Sequence, residues 1–132
     1  MPRKTVKEFW SNPSKVAEEL PGKVMILGDQ EVIIRKAQGF SREEGLRGIY
    51  LPMLDMEPGQ FYCPRLGAYI LPVIAVLDNG KRGGRVLIRE IDVNGRVYSG
   101  PGRVAQQLGL TSKARGKITW LNEQTFRVLM EG

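Results

Sequence analysis

A segment suited to holding a phosphate group lies at residues 99–103, Ser-Gly-Pro-Gly-Arg. Its glycines let the backbone approach a ligand closely, and the start of the helix expected after it would offer free N–H groups. The guanidinium of Arg103 forms paired hydrogen bonds with phosphate oxygens. We therefore predict one DNA phosphate contact, made by Ser99, Gly100, Pro101, Gly102 and Arg103. The alternative is an ordinary turn before a helix.

A second candidate is the segment from Tyr62 to Tyr69, a predicted hairpin tip in which an arginine precedes a leucine. Proteins that bend or unstack DNA insert an apolar side chain between base steps, and enzymes that act on a base must rotate it out of the stack. Leu66 is predicted to be such a wedge, with Arg65 on the adjacent backbone; the alternative places Leu66 in the core. The predicted DNA contacts here are Tyr62, Pro64, Arg65, Leu66, Gly67 and Tyr69.

The charge distribution points in the same direction. The chain has 20 Lys and Arg against 14 Asp and Glu, a net charge of +6, and residues 81–117 contain nine basic and only two acidic residues. A localised cationic region attracts phosphate by Coulomb steering and counterion release. We expect this region and the hairpin tip to form one continuous DNA-binding face, the alternative being a solvated basic surface without a partner.

Composition limits the other possibilities. The chain has no histidine and one cysteine, Cys63, so we expect no metal, no internal disulfide and no cofactor. Its longest apolar run, residues 68–77, is half of what a bilayer span needs, and no apolar stretch follows the basic N-terminus as in a secretory signal. The expectation is a monomer that does not bind membranes, is not secreted, and is cytoplasmic (nucleoid-associated) or nuclear.

The local patterns predict an α+β domain spanning residues 1–132, with a curved, mostly antiparallel β-sheet, a protruding hairpin and a few short helices. Helices are predicted at 11–20 and 103–108. Strands are predicted at 23–27, 31–37, 61–63, 68–77, 85–91, 117–121 and 125–130, with Asn94-Gly95 as a hairpin turn. Pro72 implies an edge position or a bulge. Residues 38–59 are predicted to be a loop with a short strand at 49–51 and a capping box at 41–44.

Several blocks resemble the alkyladenine (3-methyladenine) DNA glycosylase family, in family order over nearly the whole chain. In that family a Met-x-Pro-Gly-x-x-Tyr block leads into an intercalating hairpin, a Val-Leu-x-Arg strand follows, and a Gly-Pro segment comes later. The matching segments here are 56–62, 67–69, 86–89 and 99–109, with smaller matches at Phe9-Trp10, Ala17, 22–24 and 120–121. The resemblance implies a DNA glycosylase fold and a double-stranded, damaged DNA partner.

The resemblance also implies a base-excision repair function: release of damaged (alkylated or deaminated) purines by base flipping. Arg89 keeps a pocket-side residue of the family, whereas Lys36 falls where its catalytic glutamate stands. A carboxylate base would activate water, with Glu31 as the substitute, or Glu43 and Glu44. A neutral Lys36 would instead attack the sugar C1′ and form a Schiff base, a glycosylase/lyase mechanism. The alternative is that Lys36 is an exposed lysine at the end of a strand.

The aromatic pocket of the family is largely replaced. Gln38 and either Cys63 or Pro64 stand where stacking tyrosines are expected, Val73 replaces an asparagine, and the pocket histidine has no counterpart. The positions that match DNA-contacting residues of the family are thus better kept than those that match its base-pocket and catalytic residues. The alternatives are a non-catalytic DNA-binding domain on the same scaffold, or an RNA-binding domain similar to the C-terminal domain of methionyl-tRNA formyltransferase.

Overall fold

The computed structural model describes residues 9–43 and 55–131. The helices in these ranges are α1 (Pro13–Glu19) and α2 (Pro101–Gln107). The strands are β1 (Val24–Leu27), β2 (Gln30–Phe40), β3 (Gln60–Tyr62), β4 (Arg65–Leu66), β5 (Tyr69–Ile70), β6 (Val73–Asp78), β7 (Lys81–Val93), β8 (Arg96–Ser99), β9 (Arg115–Trp120) and β10 (Thr125–Met130). The α+β class and the single small domain are therefore confirmed.

The main sheet closes into a seven-stranded barrel. Its order is β2-β1-β10-β9-β3-β6-β7, and β2 pairs with β7 to complete the ring, while β8 extends from β7 outside it. Every neighbouring pair is antiparallel except β1 and β10. The sequence correctly predicted a mostly antiparallel sheet but not its closure. Closure depends on β7, which at 13 residues is long enough to pair with β6 and β8 along one edge and with β2 along the other.

The barrel interior is the main core, and the helices cover its two ends. The fully buried aromatic side chains Trp10, Phe61 and Phe126 belong to it, together with residues of both helices. At one end of β2, α1 packs so closely that a Cβ on Gly39 would lie 2.4 Å from the Pro13 carbonyl oxygen. At the other end, the side chain of Gln30 donates to the Leu108 carbonyl just after α2. The helices therefore sit at opposite openings of the barrel.

A second, smaller cluster lies on the outer face of β6 and β7. It consists of Met56, Leu71, Val73, Ala75 and Leu87, with Phe40 and Tyr62 packed against it. Along β7 the neighbours of Leu87 point into the barrel core, so strand alternation places this cluster outside. Tyr62 and Leu71, which flank the hairpin β4–β5 in the chain, both pack in this cluster, so the hairpin begins and ends beside it.

Local structure differs from the sequence-based predictions in several strands. For example, β7 begins at Lys81 rather than at residue 85, and β8 was not predicted. Strand β2 continues to Phe40, so the predicted loop does not begin at Gln38. Pro72 divides the predicted strand 68–77 into β5 and β6, consistent with the predicted irregularity. The predicted strand at 49–51 and the residue Glu44 lie outside the described residues. None of the helices in the described ranges has the length and apolarity needed to cross a membrane.

Candidate nucleic-acid interface

The hairpin β4–β5 presents an apolar tip to solvent. Arg65 pairs with Ile70 and Leu66 with Tyr69, and Gly67 has a φ of 60°, a conformation that few residues other than glycine adopt easily. Leu66 is 55% exposed and Tyr69 64% exposed. The prediction that Leu66 is solvent-exposed at a protruding tip is therefore confirmed, and its placement in the core is excluded.

Two residues predicted to contact DNA belong instead to the base of the hairpin. Pro64 is buried, and its carbonyl accepts a hydrogen bond from the Leu71 N–H at 2.9 Å. Tyr62 is half-buried against the outer cluster and pairs with Val73. The Pro64 ring is therefore buried rather than exposed at the tip, and Tyr62 contributes packing.

The structure brings the tip and the 99–103 segment into contact. A Cβ on Gly102 would lie 2.6 Å from Cδ1 of Tyr69, so the ring occupies the space that any other side chain would need. Two residues before Gly102, the Gly100 N–H donates to the Arg89 carbonyl at 2.7 Å. The tip, the segment and the second half of β7 therefore form one group. We name residues 99–103 the glycine turn.

The glycine turn has fewer free donors than its sequence suggests. Gly100 has a φ of 96°, and α2 has only seven residues, so its dipole adds little. The Ser99 hydroxyl is already used, because it donates to the Glu90 carboxylate. The exposed Arg103 is thus the main anion-binding group of the turn, and Ser99 has a structural role instead.

Four charged residues lie side by side where β2 meets β7. The pairing is irregular here: the inward pairs Ile34–Ile91 and Ala37–Ile88 are separated by two residues on each strand. The separating residues are Arg35, Lys36, Arg89 and Glu90. An irregular ladder of this kind lets consecutive side chains leave the core together.

Glu90, which was not among the predicted site residues, is the central residue of this group. Its side chain is 10% exposed and contacts Arg35 Nε at 3.3 Å and Lys36 Nζ at 3.8 Å. The hydrogen bond from Ser99 is the largest cause of a lowered pKa of the Glu90 carboxyl, and Arg35 and Lys36 also lower it. The signal that could have found it is a carboxylate directly after Arg89, in a strand otherwise rich in apolar residues.

The predicted catalytic residues do not all come together. Lys36 has 71% of its side chain exposed and forms an ion pair with Glu90, so its amine is not buried. Arg89 donates to the Gln38 side chain at 2.6 Å. Glu31 pairs with Ile26 of β1, five residues before Lys36 and about 16 Å away along the strand. Glu31 therefore does not join the group.

The cationic stretch 81–117 does not form a single face, which corrects that expectation. Arg82 lies at the opposite end of β7 and forms an ion pair with Glu57 at 2.6 Å, and Arg85 is buried beneath Phe40. Arg115 contacts Glu131. Strand geometry distributes these residues around the barrel. The basic residues that remain near the tip and the glycine turn are Arg65, Arg89, Arg103 and, on β2, Arg35 and Lys36.

No family model and no curated protein matches the chain. Among residues 9–43 and 55–131, no cluster of three or more acidic, cysteine or histidine side chains is arranged to hold a metal ion. The arrangement itself offers an apolar protrusion in contact with a glycine turn that carries an arginine, and this turn is hydrogen-bonded to Arg89 and Glu90 of β7.

Proposed function

We propose that this protein binds double-stranded DNA at damaged or distorted sites and opens the base stack there with Leu66. The observation that carries the proposal is the contact of Tyr69 with Gly102, which fixes an exposed apolar tip beside a basic turn. A wedge alone would leave the duplex free to slide. With Arg103 on the neighbouring phosphate, insertion has a fixed register.

Exposure of Leu66 is energetically meaningful in this proposal. An exposed leucine gives up the burial that would contribute about 2 kcal/mol in a core. Insertion between base steps buries that surface and offsets part of the cost of unstacking, which is a few kcal/mol per step and lowest where a base is missing or mispaired. We therefore expect the preferred duplex to be one already weakened by a lesion.

The direct test is fluorescence anisotropy with four nucleic acids of matched length: an intact duplex, the same duplex with one abasic site, single-stranded DNA and a tRNA. We expect the abasic duplex to bind about tenfold more tightly than the intact one, or about 1.4 kcal/mol. In a salt titration, Arg103→Ala should reduce the slope of log K against log salt by about one. Equal affinity for both duplexes, or preference for tRNA, would contradict the proposal.

Excision of the damaged base is a second candidate, favoured by the family resemblance and by the charged group joined to the glycine turn. Incubation with duplexes that contain hypoxanthine, ethenoadenine or methylated purines, followed by alkali, would reveal excision as strand breaks. Borohydride distinguishes the mechanisms, because only a Lys36 Schiff base would give a covalent complex. Lys36→Gln is the control, and breaks without trapping would indicate activated water.

A further inference from the structure

The surface beside the glycine turn offers hydrogen-bond donors almost exclusively. We name Arg35, Lys36, Gln38 and Arg89 the donor patch. The acceptor oxygen of Gln38 is occupied by Arg89 at 2.6 Å, which leaves its amide N–H groups free to face a ligand. Both oxygens of Glu90 are engaged by Ser99 and Arg35, and the side chain is nearly buried. Among the side chains of this patch and Glu90, a ligand therefore meets N–H donors and no free carboxylate.

The patch also carries net positive charge. Arg35, Lys36 and Arg89 are cationic, and Glu90 neutralises one of them, so the sum is +2. Because these side chains are partly exposed, their field is screened beyond about one Debye length, but a base in contact lies well inside that distance.

A base rotated out of the duplex would reach this patch. The patch is joined to the glycine turn through the Arg89 carbonyl and through Glu90, and the turn is joined to the wedge through Tyr69. With the phosphate on Arg103 and the wedge in the stack, the extruded nucleotide lies over the outer face where β2 meets β7. This step rests on the proposed function.

We infer that the donor patch selects an uncharged or anionic base rich in carbonyl acceptors, as deamination produces, and rejects bases made cationic by ring methylation. The physical basis is the pairing of free N–H donors with carbonyl and ring-nitrogen acceptors. A cationic base would meet the remaining net charge of +2, because Glu90 neutralises only one of the three cationic side chains.

Three duplexes that differ in one base isolate the charge. They contain hypoxanthine, 7-methylhypoxanthine, which is cationic at the mildly acidic pH of this assay because its N1 keeps its proton, or 7-deaza-7-methylhypoxanthine, which has the methyl group without the charge; 2′-fluoro sugars keep the glycosidic bond intact. Affinities are expressed relative to the abasic duplex. We expect the neutral methylated base to bind about tenfold more tightly than the cationic one, and hypoxanthine to bind at least as tightly as the neutral one.

Two variants assign the effect to the patch. Lys36→Met and Arg89→Met should each reduce the discrimination severalfold. Arg127→Met is the matched control, because Arg127 is equally an exposed strand arginine but lies on β10, which borders neither β2 nor β7. Equal or tighter binding of the cationic base would overturn the inference while a preference for the abasic duplex remains. Loss of that preference would instead remove the proposed function and the inference together.

Discussion

Two hairpins meet the glycine turn, and their tips differ in kind. The tip of β7–β8 is Asn94-Gly95, both with positive φ, and the Gly95 N–H donates to the Asp92 carboxylate at 2.8 Å. This tip follows the ordinary chemistry of a two-residue turn, with polar residues facing water. The tip of β4–β5 exposes Leu66 and Tyr69, which its turn does not require.

The difference separates residues that fold the chain from residues available for binding. Hairpin β7–β8 belongs to the main sheet and supplies four paired positions, whereas β4–β5 is a separate sheet with two. A two-stranded ribbon of that size is not stable alone. It is held by its buried base and by Tyr69 on Gly102, whereas the side chain of Leu66 remains 55% exposed.

The largest expected effect is on DNA affinity, and a matched pair of truncations, Leu66→Ala and Val97→Ala, tests whether the two hairpins differ in it. The two residues are 55% and 46% exposed, one on each hairpin. Leu66→Ala should weaken binding to the abasic duplex about tenfold, whereas Val97→Ala should change it less than twofold. Anisotropy measures both, and thermal unfolding should show stability changes within about 0.5 kcal/mol for each. Equal effects on affinity would remove the distinction between the tips.

The contact between tip and turn is tested by Gly102→Ala. The new Cβ would displace the Tyr69 ring, and we expect affinity for the abasic duplex to fall about fivefold, because the wedge and Arg103 then lose their fixed spacing. In a double-mutant cycle with Tyr69→Ala, the two effects should be strongly non-additive. Additive effects would mean that the ring and the turn act independently.

The turns themselves can be compared through Gly95→Ala and Gly67→Ala. Both glycines have positive φ, 87° and 60°, and both have open space where a Cβ would lie. Each substitution should therefore cost about 1 kcal/mol of backbone strain. We expect only Gly95→Ala to lower the global unfolding free energy in urea by that amount. Gly67→Ala should instead increase local hydrogen exchange in β4–β5; a global loss there would show that the ribbon folds with the barrel.

The smallest expected effect concerns Glu90, which connects β7 to the glycine turn. Hydrogen bonding to Ser99, with help from Arg35 and Lys36, lowers the pKa of the Glu90 carboxyl in the folded state. Its stabilising contribution is therefore present at neutral pH and is lost as pH falls below the usual carboxyl pKa of about 4.3. Glu90→Gln should flatten the stability profile between pH 5 and 3, measured by urea unfolding. Val97→Ala, which leaves the ion pairs intact, should keep the slope.

Much of the local structure was predictable from particular residues. Asn12 and Pro13 begin α1 as expected, because the Asn12 side chain accepts from the Lys15 N–H. The last strand, at 125–130, and the Asn94-Gly95 turn were also predicted correctly. These signals are local, since capping, turn geometry and strand alternation act over a few residues.

The candidate site was predictable only in part. The exposed Leu66 and the glycine turn followed from glycine and proline placement, but Glu90 did not, because its importance depends on partners 54 and 55 positions earlier in the chain. The burial of Pro64 was not predicted either, because the sequence pattern put this residue in the hairpin tip. Cross-strand contacts of this length leave little local pattern; for Glu90 it is only a carboxylate within an apolar-rich strand.

Residue type and short spacing were enough to predict both helices, the Asn94-Gly95 turn and the cationic character of residues 81–117. Only the tertiary structure decided that the sheet closes through β2 and β7, that Tyr69 lies on Gly102, and that Arg82 and Arg103 face different regions. The physical reason is strand register: a shift of one residue exchanges the two faces of a strand. Register in a closed barrel is fixed by all seven strands at once.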